Sequence, residues 1–508
     1  DNDTFVKTWF EVSNNKLITQ DYTFDKKWYP YNKGGSFRKW YGNQEFIVNW
    51  EDNGAKLKAF KGATLRNPSL YFKPSISWSL TSSVGCGFRY TPHAALFDVN
   101  GMSLFPLTND NHYFYLSALN TKVYQAIKSI INPTIDTQCG DVLCFPAPRH
   151  NANDDSIMQI GKENVAISKQ DWDAHETSWD FKTNELIRIA DENQLLEEVL
   201  TAYKAVWTEK FYELHHNEEE LNKQFIQIYG LQNELSPNIS LDEITILQKG
   251  EISIEHGEIV WHDDVIIKQL ISYLVGCFMG RYSIDRPGLI IASQHQNLNK
   301  IGLKVDGLDN GAESKITIDE DGIVPILEGE YFNDDMTARI EQAIKVIFGE
   351  RGYQQNLNYI NDRLGKTLRE YLFKEFFADH ILLYSIKSGK QLLRRPIYWL
   401  FSSKMGDRKK KGYFKALVYM HRIESDTLSK LHADYVVPYI TRIEQELQEV
   451  EENAVRDDLT SAQRNRTNKL VTELRDQLYE LREYATILAE MSTQRISIDL
   501  DDGVKVNY

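Results

Sequence analysis

The sequence predicts an α+β chain: a mixed, β-rich first part, then largely α-helical domains with an antiparallel helical hairpin near the C-terminus. Three observations predict it. Short β-prone runs alternate with turn residues over residues 1–150. A helical apolar period takes over from about Asn184. Near the C-terminus the apolar residues step by three and four, as they do in paired helices.

Within residues 1–150, Glu45-Phe46-Ile47-Val48-Asn49-Trp50 reads as a strand ending at Asp52-Asn53-Gly54. Ala95-Leu96-Phe97-Asp98-Val99 reads as another, ending at Asn100-Gly101. Tyr113 to Ile131 is helix-like and closed by Asn132-Pro133. Pro146, Pro148 and the polar run Asn151-Ala152-Asn153-Asp154-Asp155 mark a boundary. Residues 151–285 then read as a helical domain with a small β insert. Ser168-Lys169-Gln170-Asp171 resembles a capping box. Leu186, Ile189, Leu196, Val199, Tyr203, Val206 and Leu214 line one face of a long helix that Glu218 to Tyr229 continues. Thr245 to Trp261 is β-like, and Asp263-Asp264 suit the start of a helix through Met279, where Gly276 and Gly280 allow close packing.

Residues 286–335 form a β- and turn-rich segment, with Gly and Asp frequent from residue 295. Residues 336–438 read as a helical domain with a basic loop. Residues 439–495 have the spacing of an antiparallel coiled-coil hairpin. Ile440, Ile443, Leu447, Val450 and Ala454 make one seam, and Leu470, Leu474, Leu478, Leu481 and Leu488 the other. Asp457-Asp458 and Ser461 suit its tip, and residues 496–508 are a C-terminal tail.

The composition, 42% hydrophobic and 26% charged, is that of a soluble globular chain with room for about three domains. No apolar run approaches the ~20 residues needed to span a bilayer. The longest, Val265 to Met279, is broken by Lys268, Gln269 and Ser272 and reads as a buried helix, so no membrane partner is expected. Cys86, Cys139, Cys144 and Cys277 are too few for a disulfide framework, and Cys139 and Cys144 lack a second ligand pair for zinc. A cytoplasmic location is expected. The first residue is Asp1 and not methionine, so the native N-terminus is expected to be missing.

Charge is unevenly spread. The whole chain carries −15, yet residues 1–150 hold 16 Lys+Arg against 12 Asp+Glu. Twenty of the 60 aromatic residues precede residue 98. Cations interleaved with flat rings suit a polyanion with stackable bases. The same composition suits a β-rich domain whose rings are its core.

Catalytic apparatus is not evident. There is no Walker A loop, no Gly-x-Gly-x-x-Gly after a strand and no His-Glu-x-x-His. Asp334-Asp335 and Asp263-Asp264 look like helix caps, and His215-His216 like part of a solvated face. Asn67-Pro68-Ser69 and Asn132-Pro133-Thr134 lack the aromatic that an amino-methyltransferase needs beside its flipped base. No metal site is expected.

Binding signals are stronger. Phe37 to Gln44 carries Arg38, Lys39, Trp40, Tyr41, Asn43 and Gln44, residue types that form bidentate pairs with guanine or adenine edges or stack on bases. Lys56, Lys58, Lys61, Arg66, Lys73 and Arg89 extend the basic character toward phosphates. Lys404 with Arg408, Lys409, Lys410 and Lys411 forms a second cluster that would add salt-sensitive affinity without sequence choice.

Several runs together resemble one family. Lys39-Trp40-Tyr41-Gly42-Asn43 with Val48-Asn49-Trp50, and Phe97-Asp98-Val99-Asn100-Gly101-Met102-Ser103-Leu104-Phe105, resemble the target-recognition region of single-chain adenine methyltransferases. The strongest signature is Trp172-Asp173-Ala174-His175-Glu176-Thr177-Ser178-Trp179-Asp180-Phe181. Arg281-Tyr282-Ser283, the run Arg395 to Ser403 and the run Asp499 to Tyr508 agree with it. The resemblance covers essentially the whole chain and is to the PglX family, the adenine-specific DNA methyltransferases of BREX phage-defence systems. Type IIG restriction-modification enzymes are wider relatives.

The resemblance implies a β-rich DNA target-recognition domain followed by helical scaffold. It implies a parent enzyme that moves a methyl group from S-adenosylmethionine to adenine N6 in a short asymmetric site, after flipping the base. In that family the cofactor fold and an Asn-Pro-Pro-Tyr motif lie upstream of this segment, so no catalytic or cofactor-binding residue carries over. The chain alone is then expected to be inactive, with double-stranded DNA as its partner. The alternative is a protein-interaction scaffold that docks other defence components or a DNA-mimicking phage inhibitor.

Overall fold

The computed structural model describes residues 2–18, 25–92, 95–107, 112–148, 155–191, 193–388, 391–455 and 459–508. The expected boundary at residues 151–154 and the hairpin tip Asp457-Asp458 lie outside the described residues. The chain divides into two compact units. The first comprises Asp1–Ile189, Glu197–Gln269 and Leu383–Arg395, and the second Ala190–Leu196, Leu270–Leu382 and Pro396–Tyr508.

The first unit begins with seven short strands: β1 (Val6–Thr8), β2 (Trp28–Asn32), β3 (Phe46–Asn49), β4 (Ser75–Ser79), β5 (Phe88–Thr91), β6 (Leu96–Phe97) and β7 (Gly101–Leu104). They form a four-stranded sheet of order β1-β3-β2-β6 and a three-stranded antiparallel sheet of order β5-β4-β7. Tyr29 and Val48 are partners across β2 and β3, and with Trp50, Tyr71 and Leu96 they build an aromatic core. Trp50 meets Tyr71 edge-on, with centroids 5.6 Å apart. The expected turn after β3 is present. Asp52, Asn53 and Gly54 take φ of 51°, 56° and 73°, a left-handed run that Asp, Asn and Gly tolerate best. A Cβ on Gly54 would lie 2.6 Å from the Trp50 ring.

Two helical expectations are corrected. Tyr113 to Ile131 is two helices, His112–Leu119 and Lys122–Ile131, because Thr121 ends the first and caps the second. Ser168 to Asp171 does not start a helix. It lies inside Asp155–Asp173, where both residues are buried and the Asp171 carboxylate serves Arg38 and the Leu247 N–H. The long amphipathic pattern from Leu196 forms the 33-residue helix Leu196–Ile228, but Leu186 and Ile189, expected on the same helix, lie in the separate short helix Glu185–Ile189. The β insert is the hairpin Ile252–Glu255 with Glu258–Trp261, turning on His256 and Gly257, both with positive φ. The helix Asp263–Met279 follows.

In the second unit, the helices Met336–Phe348, Tyr353–Leu364, Leu368–Lys374 and Phe376–Leu383 bear out the helical pattern after residue 336. The pattern fails beyond them. Tyr398–Ser402 and Lys415–Tyr419 are antiparallel strands joined to Ile323–Pro325. Their Tyr, Trp, Phe and Val residues favour a strand, and neither strand alternates buried with exposed positions, so the period of two that would reveal one is missing.

The paired helices are Val437–Ala454 and Ser461–Ser492. Of the expected seam residues, Ile443 on the first helix and Leu474, Leu478, Leu481 and Leu488 on the second are buried. Leu470 is 39% exposed, and Val471 holds the buried position next to it.

Candidate nucleic-acid interface

The segment Phe37 to Gln44 is a plug in the first unit and does not face solvent. Arg38 is buried. It donates to Asp171 Oδ2 at 2.6 Å, to the carbonyl of Tyr41 at 2.6 Å and to that of Ser168 at 3.1 Å, and its guanidinium lies 5.1 Å from the Trp172 ring centroid. Lys39 pairs with the buried carboxylate of Glu218, which also accepts from Trp40 Nε1 at 2.7 Å. The ring of Tyr41 packs under Lys169 at 5.1 Å. Asn43 donates to the Ser36 carbonyl at 2.8 Å. Gln44 is buried, and neither of its amide atoms has a hydrogen-bond partner among the described residues.

Arg89 is also buried, with 3.3 Å bonds to the carbonyls of Arg38 and Gly87. The expectation that Arg38, Lys39, Trp40, Tyr41, Asn43, Gln44 and Arg89 contact DNA is therefore corrected. All seven are buried, and the bonds of Arg38, Lys39 and Trp40 to Ser168, Asp171 and Glu218 hold the β-rich part to its helices. Glu45 completes the buried charge. Burial raises its carboxyl pKa, against the pull of Lys249, Arg38 and Arg89.

The remaining cations behave differently. Lys58, Lys61, Arg66 and Lys73 are all exposed on the single segment between β3 and β4, which also carries Lys56 and an exposed Phe60. Lys58 Nζ stands 5.2 Å from the Trp50 ring centroid, a cation–π contact that holds its ammonium group over the edge of the aromatic core.

In the second unit, Lys404, Arg408, Lys409 and Lys411 are exposed, and Lys410 is half-buried. Their loop connects the strands Tyr398–Ser402 and Lys415–Tyr419 and is tied down by one carboxylate. Glu480 accepts from Ser403 Oγ at 2.5 Å and from the N–H groups of Lys411, Gly412 and Tyr413 at 2.9–3.0 Å. Lys410 pairs with Glu483 and Lys411 with Glu473, at 3.0 and 3.1 Å. Lys404, Arg408 and Lys409 thus keep the more available charge.

Sequence reasoning missed a cleft of about 640 Å³ in the first unit. It opens between the Gly34-Gly35-Ser36 turn and the Ser79–Val84 loop, with Lys33 and Lys387 among its walls. The glycines before Ser36 and the run Thr81-Ser82-Ser83 were legible signals. Lys387 comes from a hairpin some 300 residues away and was not.

Two proteins resemble the chain along its whole length. One, named adenine-specific methyltransferase BrxX, from Escherichia coli O9:H4 (strain HS), is 35% identical. The other, named adenine-specific methyltransferase PglX, from Lacticaseibacillus casei (strain Zhang), is 32% identical. The chain belongs with these PglX-like proteins. The resemblance stated from its motifs is borne out, and the chain spans 41% of the length of each of these relatives. No family model matches it.

The family signature Trp172 to Phe181 has a structural role here. His175 Nε2 meets Glu251 Oε1 at 2.6 Å, Tyr384 donates to Glu176 at 3.0 Å, and the Thr177 carbonyl accepts from Trp9 Nε1 at 2.8 Å. The ten residues join β1, the helical part and the 383–395 hairpin of one unit.

Proposed function

We propose that the chain grips and reads duplex DNA on behalf of an adenine-N6 methyltransferase of the BREX type. The observation that carries this reading is the segment between β3 and β4. There Lys58, Lys61, Arg66 and Lys73 stand exposed while neighbouring cations are neutralised inside the fold. Similarity along the whole of this chain to 41% of two proteins named adenine-specific methyltransferases supports it. Backbone phosphates meet this segment and, independently, the loop of Lys404, Arg408 and Lys409. S-adenosylmethionine belongs to the parent enzyme.

The Asn-Pro steps of this chain do not fit a base-flipping motif. Asn132 spends its amide on Asp141, the Asp136 carbonyl and Thr134, and Asn67 sits in a left-handed turn before a short 3₁₀ helix. No methyl-transfer step is derived from them.

The test is fluorescence anisotropy of the full chain with a duplex of about 30 base pairs, between about 50 and 200 mM salt. Affinity should fall steeply with salt. Changing Lys58, Lys61, Arg66 and Lys73 together to Glu should cut the logarithmic slope by about 0.9 for each phosphate that is no longer neutralised. Salt-independent binding, or an unchanged slope in the fourfold variant, would overturn the assignment. Incubation with labelled S-adenosylmethionine should give no transfer from this chain alone.

A further inference from the structure

We infer that the cleft between the Gly34-Gly35 turn and the Ser79–Val84 loop is a phosphate site, which holds one backbone phosphate of a bound DNA strand. The inference rests on the DNA reading above and gives it a specific pocket. About 640 Å³ is in the size range of small-ligand sites.

Two cations reach the cleft. Lys387 is exposed at it, and Lys33 lines it while paired with Asp98 at 3.2 Å. A third positive charge lies behind the wall. Arg89 is 2% exposed, and among the described residues it forms no ion pair. Its Nε has no hydrogen-bond partner, and its Nη2 makes only a 3.4 Å bond to Ser79 Oγ. Ser79 lines the cleft, and its Oγ donates to the Gly35 carbonyl at 3.1 Å. Burial lowers the Arg89 pKa to about 10, which leaves it charged near neutrality. The buried Glu45 carboxyl already acts on this guanidinium, and an anion in the cleft adds a second negative charge to its surroundings.

The hydroxyls of Ser36, Ser82 and Ser83 supply donors of the kind that phosphate oxygens accept from. The turn stays close because Gly34 and Gly35 have φ of 80° and 150°. A Cβ on either would lie 2.5 Å from the Asn100 carbonyl oxygen or 2.7 Å from Asn43 Nδ2. Two carboxylates stand nearby, and both are already engaged. Asp98 holds Lys33 and the N–H groups of Asn100 and Gly101, and Asp136 accepts from Thr81 Oγ1 at 2.6 Å.

The experiment uses the full chain with exposed-site variants Lys387→Glu and Ser83→Asp, and Lys223→Glu as a charge-matched control. Probes are a duplex of about 30 base pairs by anisotropy, and dAMP and inorganic phosphate by calorimetry. Both cleft variants should weaken duplex binding about tenfold and lower the salt slope by about 1, with an unchanged melting temperature. Lys223→Glu should do neither. Unchanged duplex binding in both cleft variants, with loss in the Lys58/Lys61/Arg66/Lys73 variant, would overturn the cleft and leave the DNA reading intact. Binding of dAMP or phosphate that both variants abolish, in a chain that binds no duplex, would keep a phosphate site and overturn its DNA source.

Discussion

Glu218 shows how far a single carboxylate shapes this chain. It neutralises Lys39, takes the Trp40 indole N–H and is itself buried, so the basic, aromatic run of residues 37–44 becomes an internal tie. Glu218→Ala strands a buried ammonium and should cost about 3–5 kcal/mol, read as a lower denaturant midpoint. Replacing Lys39 by Met in that background should recover part of the loss. If Lys39 read bases instead, Lys39→Met alone would shift DNA affinity without shifting stability. A second residue-scale prediction concerns His175. Burial opposes its charge, but the Glu251 carboxylate at 2.6 Å more than reverses this, and the ring pKa is raised. Burial likewise works against ionised Glu251, yet His175 and Gln269 hold its pKa down at about 2. The His175 contribution is full below the ordinary value of 6.5 and is lost as pH rises through the raised one. The Glu251 contribution is full above 4.5 and lost as pH falls toward about 2. Glu251→Gln should therefore destabilise most between about pH 5 and 6.5, measured by thermal melts across pH.

At the scale of elements, the paired helices and the basic loop depend on each other within the second unit. Leu481 is fully buried in the helix Ser461–Ser492, and Leu481→Ala should cost about 2–5 kcal/mol, whereas Leu470→Ala, near the tip, should cost under about 0.5 kcal/mol. One turn from this seam, Glu480 collects three N–H groups and a hydroxyl from residues 403–413. Glu480→Gln should raise amide hydrogen exchange across residues 404–413, and unchanged exchange there would remove the anchoring role. The helices were legible because amphipathic periods survive in sequence: Leu196–Ile228 and both arms of the pair follow their apolar stripes. The strands Tyr398–Ser402 and Lys415–Tyr419 were not, since neither has exposed positions alternating with buried ones. For the candidate interface, residue type alone did not separate the cations that stand exposed in the segment 51–73 from those that are buried at 38, 39 and 89. The carboxylates that capture Arg38 and Lys39 lie 133 and 179 residues away, beyond any local pattern.

At the scale of the whole molecule, the acidic excess and the buried acids act in the same direction on stability. The chain carries −15, so lowering pH relieves self-repulsion. A cleft of about 960 Å³ in the second unit gathers Asp306, Asp319, Glu320, Asp321 and Asp334 around Tyr435, with Arg339 and Lys430 at its walls. Tyr435 donates to Asp334 at 2.8 Å and lies 3.3 Å from Asp321. Burial, then the charge of Asp319, pushes Asp321 up to about 7, and burial pushes Asp334 up to about 6. A carboxyl whose folded pKa exceeds its unfolded value of 3.8 binds its proton more tightly when folded. Its destabilisation thus grows as pH rises from about 4 to about 7 and is complete above that. The His175 pair weakens as pH rises above 6.5, so stability should climb as pH falls from 8 toward 5. Asp321→Asn removes one of the titrating acids and keeps an oxygen for the Ile323 N–H, now held at 2.8 Å. At pH 8 the variant should be more stable by about 1–3 kcal/mol, and at pH 4.5 it should differ little from the parent chain. Thermal melts of both proteins across pH 4.5–8 decide it. Parallel curves would show that Asp321 ionises in the folded chain as freely as in the unfolded one.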